Sequence, residues 1–202
     1  WRLNADMMPE GAVAPNISFS MKDTVVSGEP IDFKLAFKNV SNVPFDSLMK
    51  ISLKITTASN YDSIINIPRG KMLQVSPDTL MVRYTIPSEN YVGNNLLTVE
   101  FNPNNHQPEQ FHFNNILLKP FYVIGDKFNP LLDVTFDGVH ILNNDIVSSK
   151  PNILIKLKDE NRFLALKDTS LMQVQLRYPN GSLRTMNFNG DTMRFIPANL
   201  AA

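Results

Sequence analysis

Ile31-Asp32-Phe33-Lys34-Leu35-Ala36-Phe37-Lys38 sets large apolar residues at every second position, with Asp32, Lys34, Ala36 and Lys38 between them. An extended chain points successive side chains to opposite faces, so this stretch predicts a strand with one face buried. Working outward, Ile51, Leu53 and Ile55 repeat the alternation, as do Leu80, Val82, Tyr84 and Ile86, and then Leu97, Val99 and Phe101. Ile17 to Ser20, Ile64 to Ile67 and Asn115 to Ile124 complete about seven strands, the number of an immunoglobulin-like sandwich. Pro120 marks the last of these as a sheet-edge strand, because proline has no N–H for a ladder.

The pattern breaks at Gly125-Asp126-Lys127-Phe128-Asn129-Pro130, a polar turn cluster that predicts a domain boundary. Beyond it, Leu132, Val134 and Phe136 begin a second set, with a turn at Asp137-Gly138 and strands over Ile153 to Leu157 and Val174 to Tyr178. Pro179-Asn180-Gly181-Ser182 is a hairpin signal, since Asn and Gly tolerate positive φ. Leu183 to Phe188 returns, and Met193 to Ile196 follows the Asn189-Gly190-Asp191 turn. The expected fold is all-β, with two tandem immunoglobulin-like β-sandwich domains over residues 10–125 and 130–202. The second falls short of the roughly 100 residues such a sandwich needs. It is therefore expected to be truncated, without its final strands, and its unpaired edge would favour an edge-strand dimer.

Composition excludes several classes. Nineteen basic residues balance nineteen acidic ones, leaving no net field to attract nucleic acid or anionic lipid. The chain has no cysteine, so disulfides, thiolate metal sites and a Cys nucleophile are absent from these 202 residues. No apolar run approaches the roughly 20 residues of a membrane helix. The first residue is Trp1 rather than Met, so a processed or excised piece is expected, with any targeting signal outside it.

Chemistry-bearing motifs are sparse. Ser47-Leu48-Met49-Lys50 fits the S-x-x-K pattern of penicillin-recognising serine enzymes, but it runs into a strand and neither S-D-N nor K-T-G accompanies it. His106, His112 and His140 are scattered; Glu109 stands three residues from both His106 and His112, yet Pro108 and the neighbouring Asn residues predict an ordinary polar loop. Asp159 and Glu160 are adjacent and would diverge in a strand. Oxygen ligands gather at the start of the second domain, where Asp126, Asp133, Asp137 and Asp145, with Asn143 and Asn144, are calcium candidates. Turn capping is the favoured reading of them, because no EF-hand or nonapeptide repeat is present. Trp1, Tyr61, Tyr91, Phe111 and Phe113 would be the members of any sugar-stacking platform. No cofactor is expected.

Two segments carry a family resemblance. Phe37-Lys38-Asn39-Val40-Ser41-Asn42-Val43-Pro44-Phe45 resembles the strand-end signature of the bacterial cell-adhesion-related (CARDB-like) sandwich, with Ser41 and Pro44 where small residues are usual. Pro108 to Asn115 resembles that family's acidic loop and Asn-Asn pair. Further on, Pro130 to Leu142, Asp145 to Ser148 and Ile155 to Asn161 resemble the region downstream of the catalytic domain in gingipain-type cysteine peptidases and type IX secretion sortase-like proteins of Bacteroidetes. Over residues 10–190 the resemblance implies an extracellular or cell-surface parent whose catalytic Cys and His precede Trp1. The catalytic and sorting domains of that parent chain would be its partners. No catalytic residue carries over. The function implied is a non-catalytic stalk, spacer or docking surface; the alternative is a cell-surface glycan- or peptide-binding adhesion module.

Overall fold

The computed structural model describes residues 7–14, 19–163, 169–170, 172–188, 190 and 192–198. The expected strand start at Ile17, and Trp1, lie outside them. The chain divides into two compact units, one ending at Gly125 and the other starting at Asp126.

The first unit is an immunoglobulin-like β-sandwich. Its strands, in chain order, are β1 (Gly11–Val13), β2 (Ser20–Met21), β3 (Thr24–Val26), β4 (Ile31–Asn39) and β5 (Ile51–Thr57). They are followed by β6 (Asp62–Asn66), β7 (Thr79–Ile86), β8 (Gly93–Phe101) and β9 (Ile116–Ile124). One sheet is centred on β4, with β7 on one side and the short β1 and β2 on the other; the second has the order β3-β9-β8-β5-β6. The alternation read from Ile31 onward is what closes the sandwich: Ile31, Phe33, Leu35 and Phe37 point inward. They meet Leu53, Ile55, Leu97, Val99 and Phe101 from the facing sheet in one cluster. Phe37 stacks on Phe101 with ring centroids 4.5 Å apart. Gly11 passes so close beneath that ring that a Cβ there would lie 2.2 Å from Phe37 Cζ.

The sequence expectation missed β1 and β3, which are too short to show a period. It was half right about Pro120. Strand β3 pairs in parallel with β9 only over Tyr122, Val123 and Ile124. The Tyr122 amide donates to Asp23 O, and amides two apart in a strand face the same side, so Pro120 lacks an N–H where β3 has not yet begun. Among the described residues the first half of β9 is a free edge and the second half is not.

At the end of β4 the turn resembling the adhesion-domain signature is built around Asn39. Its fully buried side chain donates to Val43 O and Gln74 O, both at 2.8 Å, and accepts from Ser41 N and Oγ. Both functions of the amide are thus satisfied, as burial requires.

The second unit has a different character. Strands β10 (Leu131–Phe136) and β11 (Ile153–Lys158) form one two-stranded ladder, and β12 (Gln175–Arg177) and β13 (Leu183–Thr185) another. The hairpin over 179–182 closes as its Asn-Gly pair predicts, with Gly181 at φ 85°. Met193 to Ile196, expected as a strand, is not one, and has no ladder partner among the described residues. Among the described residues none of this unit belongs to the fully buried apolar core. A two-stranded ladder cannot bury a face by itself. Leu132, Val134, Ile155 and Leu157, with Met172 and Val174, instead line an open cleft of about 330 Å³. The second set of strands therefore does not make a closed sandwich among the described residues.

Candidate functional site

The densest polar cluster lies in the loop between β8 and β9. Asn102, Asn104 and Asn105 take φ values of 53°, 58° and 48°, the left-handed region that asparagine tolerates better than most residues. These reversals fold the loop back on itself. Asn102, fully buried, donates from Nδ2 to Gln107 O at 2.7 Å and to Glu109 Oε1 at 2.6 Å, and accepts from Gln107 N at 2.8 Å. Asn115 Nδ2 also donates to Glu109 Oε1. From the segment before β1, Glu10 accepts from Phe111 N at 2.8 Å and from Asn114 Nδ2 at 2.5 Å.

His112 joins this loop to the sheet. Its Nε2 lies 2.8 Å from Glu100 Oε1 on β8, and its Nδ1 3.1 Å from Glu109 Oε1. A neutral imidazole has one N–H and can serve only one of these carboxylates; the imidazolium serves both. The hydrogen bond to Glu100 raises the His112 proton affinity, with burial opposing and Glu109 adding to the rise. Burial pushes the Glu109 carboxyl above the usual carboxylate range, against hydrogen bonds from Asn102, His112 and Asn115. Its Oε2 is buried with no hydrogen-bond partner among the described residues, which further favours taking up a proton.

Both shifts have one sign. A raised imidazole pKa gives stability that is fully present below the unfolded value of about 6.5 and is lost as pH rises through the folded value. A raised carboxyl pKa likewise costs stability as pH rises, in a window that opens lower, from about 4.3. His106, beside Lys50 at 3.0 Å, is shifted down by partial desolvation, Lys50 and Arg69, and so acts oppositely. The whole-protein pH profile is therefore a mixture, and the difference between wild type and His112→Asn isolates the clamp. That difference in denaturation midpoint is expected to shrink as pH rises beyond the ordinary imidazole value of about 6.5. An NMR titration placing His112 at or below an ordinary imidazole pKa would contradict the double hydrogen bond.

Ser47 and Lys50 do not form a catalytic pair: Ser47 bonds through its main chain to Gln107, and Lys50 Nζ faces His106. Tyr91 is no surface platform, being 8% exposed with its hydroxyl 2.9 Å from Ser63 Oγ. Phe111 and Phe113 are exposed and touch at 5.7 Å between centroids, but Tyr61 sits at the opposite end of the sheet, beside the start of β8. The calcium candidates serve separate turns. Asp126 accepts from Phe128 N, Asp145 from Leu142 N, and Asp137 from Asn152 N and Ser148 Oγ. Asp133 lies 3.5 Å from His140 in an exposed pair. Neither Asn143 nor Asn144 is drawn into a ligand set with them, and Asn144 holds a left-handed turn at φ 73°. Asp159 accepts from Asn161 N, in a turn rather than in a carboxylate pair. Among the described residues no group of three or more His, Asp or Glu side chains is placed to hold a metal. Sequence spacing did not reveal Glu100, Asn102 or Glu10 as members of the loop cluster, because strand pairing and chain return bring them there.

No family model and no curated protein matches the chain. Similar solved structures include the CARDB domain of a Pyrococcus furiosus protein, crystallised in complex with di-metal ions. That domain is 13% identical, with a TM-score of 0.44, over 59% of this chain and 96% of its own. Its solution structure gives 0.46 at 13% identity, over 58% and 97%. A β-glucosidase from Listeria innocua is 16% identical with a TM-score of 0.40, over 58% of this chain and 16% of the enzyme.

Proposed function

We propose that the chain is a non-catalytic accessory module, a stalk, spacer or docking surface, of a larger extracellular or cell-surface protein. The observation that carries this reading is the fate of its acid–base groups. The Glu109 side chain is closed off from solvent, and His112 is engaged at both ring nitrogens. A general base must come within hydrogen-bond reach of a substrate proton, and this pair is spent on holding a loop to a sheet. The resemblance to the region after gingipain-type catalytic domains supports a cysteine peptidase as the parent, with its catalytic and sorting domains as covalent partners. The purified chain is expected to leave a panel of fluorogenic peptides and chromogenic glycosides intact. Turnover that His112→Asn or Glu109→Gln abolishes would overturn the reading.

A second reading, recognition of a glycan or peptide, is favoured by one feature: the exposed Phe111–Phe113 pair on a loop that Glu10 and Glu109 hold in place. Array binding lost in Phe111→Ser/Phe113→Ser would select it over the spacer.

A further inference from the structure

Strand β6 ends the five-stranded sheet, and among the described residues no other strand pairs with it. Its ladder with β5 aligns Thr56 with Asp62, Lys54 with Ile64 and Ser52 with Asn66. Thr57 N donates to Tyr61 O at the hairpin end, which makes that pair a hydrogen-bonded one. Hydrogen-bonded and non-hydrogen-bonded pairs alternate in an antiparallel ladder. The amides and carbonyls of Ser63 and Ile65 therefore face β5, and those of Asp62, Ile64 and Asn66 face outward.

Free edges are ordinarily guarded by charge, proline or shortness. Strand β7 carries Arg83 in its middle, the free half of β9 carries Lys119 and Pro120, and β3 has three residues. Strand β6 is different. Its central outward residue is Ile64, 70% exposed, and Asp62 is turned back on its own sheet by Thr56 Oγ1 at 2.6 Å and Lys54 Nζ at 3.3 Å.

We propose that β6 is a self-association edge, pairing antiparallel with β6 of a second copy about a two-fold axis at Ile64. In that register Ile64 faces Ile64, and Asp62 faces Asn66 of the other copy, so no like charges meet. Each of the facing pairs is of the type that exchanges both main-chain hydrogen bonds. The same register opposes Asn60, left-handed at φ 59°, to Pro68, so the ladder ends at residues that cannot extend it. A neighbouring register would lose outward-facing pairs or place Asp62 against Asp62. The edge is thus complementary to itself, which is the requirement of a two-fold interface. This goes beyond the spacer reading: such pairing would join the sheets of two copies into one.

The absence of cysteine makes the test direct. Facing residues of a hydrogen-bonded pair lie about 5.5 Å apart at Cα, within the range a disulfide spans. Ile64→Cys in the full chain is expected to give a covalent dimer on mild oxidation, and Arg83→Cys on β7 is expected to remain monomeric. Wild type is expected to show concentration-dependent dimerisation in sedimentation equilibrium, and Ile64→Lys, exposed and so able to fold, to abolish it. A wild type that stays monomeric at millimolar concentration overturns the proposal. So does cross-linking no faster at Ile64→Cys than at Arg83→Cys, or a dimer that survives Ile64→Lys.

Discussion

Phe37→Ala lowers the unfolding free energy of the first unit by about 3–5 kcal/mol, the range for deleting a fully buried aromatic ring. Phe37 is fully buried, stacks on Phe101 at 4.5 Å and lies against Phe45 at 6.3 Å, so one deletion removes contacts to strand, loop and facing sheet together. The void cannot be filled from Gly11, which has no side chain to move into it. Against a typical domain stability of about 5–15 kcal/mol the loss is a large share. Urea denaturation followed by circular dichroism measures it, with Phe113→Ala, 78% exposed, as the control expected within about 0.5 kcal/mol of wild type. A Phe37→Ala cost below about 1 kcal/mol would mean that the two sheets do not share the core described here.

The second large effect is at Glu109, and its direction depends on what replaces it. Glu109→Ala takes the acceptor from Asn102, Asn115 and His112 inside the fold and is expected to cost about 3 kcal/mol, because buried donors lose their partner. Glu109→Gln keeps a carbonyl oxygen for the same three donors and gives up a charge that burial already disfavours, but it sets an amide NH2 at the buried Oε2 position, which has no hydrogen-bond partner among the described residues. It is expected to cost about 1–2 kcal/mol, the penalty of one unpaired buried donor, and so less than the alanine. Equal losses from the two substitutions in the same urea titration would show that the carboxylate's charge, rather than its oxygen, holds the loop.

The strands that alternate over several residues were legible. Ile31–Asn39 could be read from its own side chains because burial on one face imposes the period directly. Strands β1 and β3 could not, because three residues have no period and their place is set by distant partners at Phe37–Asn39 and Tyr122–Ile124. The capping roles of Asp126, Asp137 and Asp145 lay within reach of the sequence where the capped amide is two or three residues away. For Asp137 it is not, since Asn152 stands fifteen residues on, just before the next strand. The His112 cluster was half visible. Glu109 and His112 are neighbours in any loop, but Glu100 joins them only because β8 runs beneath. Tyr91, which a sugar-stacking platform would have needed at the surface, is buried instead, because Ser63 on β6 supplies a partner for its hydroxyl.

The closing contacts of the first unit also impose an order in time. Glu10 finds Asn114 across a sequence separation of 104 residues, and β3 completes its sheet by lying parallel to β9, the last strand of the unit. Contacts between such distant residues are formed late, after the loop between them has been gathered. A chain emerging from a ribosome or a secretion pore amino end first would carry Gly11–Val13 and Thr24–Val26 without their final surroundings until Ile124 had emerged. The contacts that tie Glu10 and Thr24–Val26 to the end of the unit would then act as the latch of the sandwich rather than its foundation.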